Sequence, residues 1–239
     1  MKIELWSDYA CPYCYIGEKR LEKAIDGIAN KEEIEIEFKA FELDPEASRE
    51  VVSSTKVRIS KKYRISENEA QNMIDNITSL ALNEGLKYNY GTTRYTNTFD
   101  AHRVTKYAQS KGKNKIIEKL FDTYFTDNLE LSNHQLLIDI AESVGLDRVE
   151  VKRVLDNNEF ADDVRNDERE AYVLGVQGVP FFLINRKYKI SGAQSSETIK
   201  NALIKIMEEE KKNSVLNIEK NTGMACGING CNLEGNNND

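Results

Sequence analysis

Four cysteines in a chain of 239 residues fall into two close pairs, Cys11/Cys14 and Cys226/Cys231. Four are too few to staple a scaffold of this length, so close pairs point to redox chemistry or to metal. Cys11-Pro12-Tyr13-Cys14 puts two sulfurs one helical turn apart. That spacing suits thiol–disulfide exchange, and it is also half of a zinc tetrad. Zinc needs two more ligands. The Cys226/Cys231 pair has a longer, less typical spacing and sits in a segment rich in Asn and Gly, which favours the redox reading and leaves no metal site assigned.

The exchange chemistry demands a particular setting. If Cys11 ends a strand and opens a helix, its sulfur lies beside unpaired backbone N–H groups and the positive end of the helix dipole, which favours thiolate over thiol. Cys11 is then the nucleophile, and the more buried Cys14 resolves the mixed disulfide. Pro12 fits the first helical turn, where its missing N–H costs nothing.

The surrounding pattern supplies that setting. A strand is expected at about 2–7, then a helix with Ile16, Leu21, Ala24, Ile25 and Ile28 at helical spacing, then an alternating strand around 33–41. Residues 48–175 read as mostly helical, with Gly85 and Gly145 as helix stops. Strands return at 181–184 and 188–191 around a turn at Asn185-Arg186, and a closing helix is capped by Ser195 or Ser196 and runs to Lys211-Lys212. The class is α/β, with one layer domain from 1–47 and 176–212, a helical insertion over 48–175, and a flexible tail over 213–239 carrying Cys-x4-Cys. Pro180 stands at a strand entrance, where on these residues alone a trans proline is the ordinary expectation.

Composition excludes several classes of partner. The 33 basic and 40 acidic residues give a net charge of −7, with 40% hydrophobic and 31% charged residues. The charge is spread along the chain rather than gathered into a basic stripe, which argues against nucleic acid or an anionic membrane. Glu4 and Asp8 interrupt any signal-like apolar run, and no later stretch would cross a bilayer, so a cytoplasmic protein is expected, as monomer or homodimer.

Asp8-Tyr9-Ala10-Cys11-Pro12-Tyr13-Cys14-Tyr15-Ile16-Gly17, Asn97-Thr98 with Ala101-His102-Arg103, Gly178-Val179-Pro180-Phe181-Phe182, and Ser191-Gly192-Ala193-Gln194 together resemble the DsbA family. The likeness is to its cytoplasmic FrnE-like branch, related in architecture to 2-hydroxychromene-2-carboxylate isomerases and kappa-class glutathione transferases. It covers about residues 1–210. It implies a thioredoxin-like fold with a large inserted helical domain, a redox-active Cys11/Cys14 pair without a resident cofactor, and a cis Val179-Pro180 bond facing that pair. Cys226 to Cys231 resembles a second Cys-x4-Cys pair of part of the branch. Two departures matter. Pro12-Tyr13 replaces the Pro-His of the secreted enzymes, which implies a less extreme oxidant, and Cys11 replaces the serine of the isomerases.

The expected activity is thiol–disulfide oxidation, reduction or isomerisation of protein or small-molecule thiols and disulfides, with glutathione as a candidate co-substrate. Pro12, Tyr13, Val179, Pro180 and His102 are candidate substrate contacts, and Cys226/Cys231 either a second redox pair or idle. The alternatives are a kappa-type glutathione-dependent transferase or isomerase, and a chaperone-like or metal-buffering protein. His134 is expected on a helix surface, Trp6 under the active-site turn, and the run Asp162 to Glu170 on a solvated helix face.

Overall fold

The structure, a computed structural model, describes residues 1–29, 31–220, 226–227 and 230–231, with side chains as far as Lys212. The first strand, β1 (Lys2–Ser7), leads through a tight turn into α1 (Pro12–Asp26), and β2 (Glu35–Ala40) follows. Seven helices come next: α2 (Thr55–Tyr63), α3 (Glu67–Asn83), α4 (Phe99–Ser110), α5 (Ile116–Phe125), α6 (His134–Ser143), α7 (Arg148–Asp156) and α8 (Ala161–Val173). The chain then returns to β3 (Phe181–Ile184), β4 (Tyr188–Ser191) and α9 (Ser196–Lys220).

The sheet order is β2-β1-β3-β4, with β1 parallel to β2 and antiparallel to β3, and β3 antiparallel to β4. Alternation sorts the strands into two faces. Ile3 and Leu5 stand opposite Ile184 and Phe182 and bury against Leu21, Ala24 and Ile28 of α1 and Ile199, Leu203 and Ile206 of α9. Each large side chain there contributes about 1.5–3 kcal/mol of burial. Trp6 and Phe181 face the other way and pack with Leu183 on Ala171 of α8.

The remaining core joins sheet to insertion. Tyr9, Ala10, Cys11, Cys14, Tyr15, Ile16 and Phe38 belong to one buried cluster with the apolar faces of α2 to α7. The helical insertion therefore shares its core with the active-site end of α1. At the predicted stops Gly85 and Gly145 take φ of 84° and 85°, a conformation that glycine adopts without strain.

Three expectations need correction. The second strand is shorter than 33–41, because Lys31–Glu33 form a 3-10 turn and Ile36 on this edge strand is 37% exposed. The closing helix continues to Lys220, so 213–220 is helix rather than flexible tail, while 221–225, 228–229 and 232–239 lie outside the described residues. Trp6 does not lie under the active-site turn; its indole N–H donates to the Asp167 carbonyl at 2.9 Å.

Candidate active site

Cys11 is the N-cap of α1, at φ −90° and ψ 112°, with Pro12 in the first turn. No side chain caps this helix start, so its N–H groups are left to face the Cys11 sulfur. The turn is tied by the Cys11 N–H to the Asp8 carbonyl at 3.0 Å and by the Cys14 N–H to the Cys11 carbonyl at 3.1 Å. The Tyr88 hydroxyl, from the connection after α3, donates to the Pro12 carbonyl at 2.9 Å.

Both thiols are free, Cys11 4% exposed and Cys14 fully buried. The Cys14 thiol is pushed up, first by burial and then by the neighbouring Cys11 sulfur, with Ser7 and the Asp8 backbone pulling weakly the other way. Cys14 is therefore held in its thiol form, and once Cys11 is tied up in a mixed disulfide the contribution of its sulfur is removed and ionisation of Cys14 becomes easier.

Facing the pair is the loop before β3. The Val179-Pro180 peptide bond is cis, and the Cys11 thiol donates to the Val179 carbonyl at 3.6 Å. The loop is seated from two sides. The Pro180 carbonyl accepts the Gly192 N–H at 2.9 Å, and the Arg20 guanidinium of α1 donates to the Ala193 carbonyl at 2.7 Å. Pro180 lies so close to α1 that a Cβ on Gly17 would come 2.8 Å from its Cγ.

Beneath the turn, Asp8 collects a set of donors. Its carboxylate accepts the Ala10 N–H at 3.1 Å, the Thr98 hydroxyl at 2.9 Å and the Leu43 N–H at 2.8 Å. His102 Nε2 is 3.7 Å from it, and neither ring nitrogen has a hydrogen-bond partner. The Asn97-Thr98 and Ala101-His102-Arg103 motifs thus converge under the turn rather than in the cleft. His102, expected as a substrate contact, is fully buried against the Tyr9 ring at 4.9 Å and does not border the cavity beside Cys11. Glu42 lies nearby, paired with Arg165 at 2.6 Å, and burial pushes its carboxyl up to about 7 despite His102 and Arg165.

A cavity of about 190 Å³ opens beside the nucleophile, bordered by Cys11, Pro12, Tyr13, Gly178 and Val179 on the redox side. Its far wall is the Arg58, Ile59, Lys62 and Tyr63 face of α2, with Leu43, Met73, Ile77 and Tyr90 completing it. Tyr13 is on the rim, 41% exposed, whereas Tyr15 is core and donates to Asp122 at 2.9 Å. The sequence reading missed Asp8 as a scaffold and the whole α2 wall. The only local signal for that wall was Arg58 and Lys62 at helical spacing beside apolar Ile59.

Other expected residues lie elsewhere. His134 pairs with Asp100 at 2.7 Å on the helical side. The Asp162 to Glu170 run is not wholly solvated, because Asp167 is buried and accepts the Ala40 N–H at 2.8 Å. Cys226 and Cys231 stand opposite each other in a two-residue antiparallel ladder of β5 (Cys226–Gly227) and β6 (Gly230–Cys231), and their side chains lie outside the described residues. Among the described residues no group of three or more His, Cys, Asp or Glu is arranged to hold a metal ion, and no helix is long and apolar enough to cross a membrane.

Known proteins are similar to this chain in sequence and fold. A probable DsbA oxidoreductase of Streptomyces coelicolor is similar at 35% identity and a TM-score of 0.84, with 98% of this chain and all of that one covered. The uncharacterized protein YwbO of Bacillus subtilis is 27% identical over 215 residues, 88% of this chain and 98% of its own length. The cytosolic disulfide reductase DsbM of Pseudomonas aeruginosa, solved with GSH, shares the fold at 10% identity and a TM-score of 0.60, covering 87% of this chain and all of that one. The model of the DSBA-like thioredoxin domain matches residues 2–204, and on that match, with the cysteine pair and proline loop in place, this chain belongs to the DSBA-like thioredoxin domain family.

Proposed function

We propose that this protein is a cytoplasmic thiol–disulfide oxidoreductase or disulfide isomerase that works through Cys11 and Cys14. The observation that carries the reading is the Cys11 sulfur at an uncapped helix start, 3.6 Å from the Val179 carbonyl, with a protonated Cys14 behind it.

In the reducing direction, the Cys11 thiolate attacks one sulfur of a substrate disulfide. A Cys11–substrate S–S bond forms, the substrate S–S bond breaks, and the leaving sulfur takes the electron pair. Loss of the Cys11 charge then eases proton loss from Cys14, whose thiolate attacks the Cys11 sulfur and releases the second substrate thiolate. The pair ends oxidised by two electrons, and the reverse sequence oxidises a dithiol. The Val179 backbone offers an extended substrate strand-like hydrogen bonds with little side-chain selectivity. The partners are protein or small-molecule thiols and disulfides, glutathione among them, and no resident cofactor is needed. Cys226 and Cys231, opposite each other in their ladder, are proposed as a second redox pair that exchanges with Cys11/Cys14.

Steady-state reduction of a fluorogenic peptide disulfide tests the reading. Cys11→Ser is expected to lower the rate at least ~10³-fold, since the hydroxyl is barely ionised at neutral pH. A Cys11→Ser variant that retained wild-type turnover would refute it.

A further inference from the structure

Arg58 is the odd residue of the cavity beside Cys11. Its Nε and Nη2 are buried and have no hydrogen-bond partner, and its guanidinium lies 4.1 Å over the Tyr95 ring. Lys62, one turn along the same face of α2, also borders the cavity, and among the described residues neither cation has a carboxylate partner. Among the described residues no Asp or Glu borders the cavity. Most other guanidinium groups are paired with carboxylates, as Arg103 with Asp100 and Arg165 with Glu42. A desolvated guanidinium gains strongly from an acceptor and is costly to leave without one. The missing partner here is an anion that enters with the ligand.

We propose that Arg58, assisted by Lys62, is a specificity-determining residue that binds a carboxylate of a small disulfide substrate, so that the enzyme prefers low-molecular-weight disulfides carrying a carboxylate on the arm next to the sulfur. This deepens the redox reading and rests on it. The planar guanidinium matches a carboxylate in bidentate fashion. At about 190 Å³ the cavity falls below the roughly 300–1,000 Å³ of sites that enclose a whole ligand, which suits one arm of a small disulfide whose sulfur meets Cys11. The positive start of α1 favours the same charge from the opposite wall. Arm and sulfur are thereby held together during attack. The thiolate displaces one carboxylate-bearing thiol, the other stays on Cys11 as a mixed disulfide, and Cys14 releases it, so one disulfide becomes two thiols as the pair is oxidised.

The test compares three disulfides of similar size on the reduced protein by stopped flow: anionic 3,3′-dithiodipropionate, neutral 2-hydroxyethyl disulfide and cationic cystamine. Each rate is divided by that of free dithiothreitol with the same disulfide, which removes differences in leaving-group reactivity. The normalised order is expected to be anionic, neutral, cationic, with at least ~10-fold between the ends, and the spread should shrink as salt is raised. Arg58→Gln is expected to bring the anionic-to-neutral ratio close to one, Lys62→Gln to lower it less, and Arg58→Lys to keep most of it. Salt dependence in the unaltered protein decides the matter even if an Arg58 variant folds poorly. A ratio insensitive to both Arg58 and salt, with the neutral disulfide still reduced, would overturn the carboxylate assignment and leave the redox reading standing. Failure to reduce any of the three would overturn the redox reading itself. A carboxylate preference confined to protein disulfides would overturn the assignment to small ligands.

Discussion

Two cavities flank α1, and they are chemically opposite. The one at its start, about 190 Å³, holds Cys11, Arg58 and Lys62 and no acid. The one along its middle, about 380 Å³ beside edge strand β2, is bordered by Glu18, Glu22 and Glu118 with Lys115. The larger cavity has no nucleophile, the helix start it borders is that of α5 and carries no cysteine, and its charges are mostly of one sign. Size does not pick out the reactive site here; the helix start and the proline loop do. The cavities also differ in how they treat a buried carboxyl. Asp8, under the first, is satisfied by three donors and organises the turn. Glu18, in the second, has Oε2 buried without a partner, and burial followed by repulsion from Glu22 pushes its carboxyl up to about 8.

The adjacent residues Gly17 and Glu18 allow the contrast to be broken from either side. Gly17→Val should have the larger effect, because its Cβ would sit 2.8 Å from Pro180 Cγ and the loop facing Cys11 would have to move. Overpacking of this kind costs about 3 kcal/mol, or roughly 6–12 °C in Tm for a chain of this size, and exchange at Cys11 should fall with it. Gly27→Ala provides the control, since its Cβ would meet only the flexible end of Lys200. Calorimetry on both variants reads the difference, and equal losses would contradict the packing argument.

Glu18→Gln should have a smaller and pH-dependent effect. A folded-state pKa of about 8 lies above the ordinary glutamate value of 4.5, so between those pH values the folded chain binds more protons than the unfolded one, and stability falls as pH rises. With glutamine the dependence over pH 4.5–8 should flatten, leaving the variant more stable by about 2 kcal/mol at pH 6, roughly 4–8 °C in Tm, and by more as pH rises toward 8. Parallel Tm profiles for the two proteins would show that Glu18 ionises normally. Exchange at Cys11 should be the same within about twofold, because Glu18 borders only the other cavity.

The smallest effect is expected from the second cysteine pair. Replacing Cys226 and Cys231 by serine should leave single-turnover exchange at Cys11 within about twofold, while recycling of the oxidised pair by external thiol slows severalfold. Unchanged recycling would remove the second redox pair. Because α9 stays helical to Lys220, five residues of sequence separate its end from Cys226.

The legible parts of the molecule were those whose signal is local. Alternation marks β2, a short apolar run marks β3, Asn185 and Arg186 take the positive φ that a hairpin turn needs, and Cys-Pro-x-Cys announces a helix start. What was not legible depends on contacts between residues far apart in the chain. His102 belongs under the turn because α4 brings it to Asp8, which is 94 positions earlier in sequence. Asp167 looked like one more charge in an acidic run, yet it caps the end of β2 and lies beside Lys39 and Lys106. Arg58 was one basic residue among many on α2 until the fold set it across from Cys11 and left two of its nitrogens without acceptors.

The central claim is that Cys11 attacks and Cys14 resolves. Cys14→Ser removes the resolving thiol while leaving the helix start and the proline loop in place, so a mixed disulfide should accumulate. Treating the reduced variant with one equivalent of 2-hydroxyethyl disulfide and mapping the product by peptide mass spectrometry measures this directly. The account predicts that the first adduct is one per chain, on Cys11, and that with Cys226 and Cys231 also replaced by serine it is stable until an external thiol is added. An unmodified Cys11, or an adduct found first on Cys226 or Cys231, would contradict it.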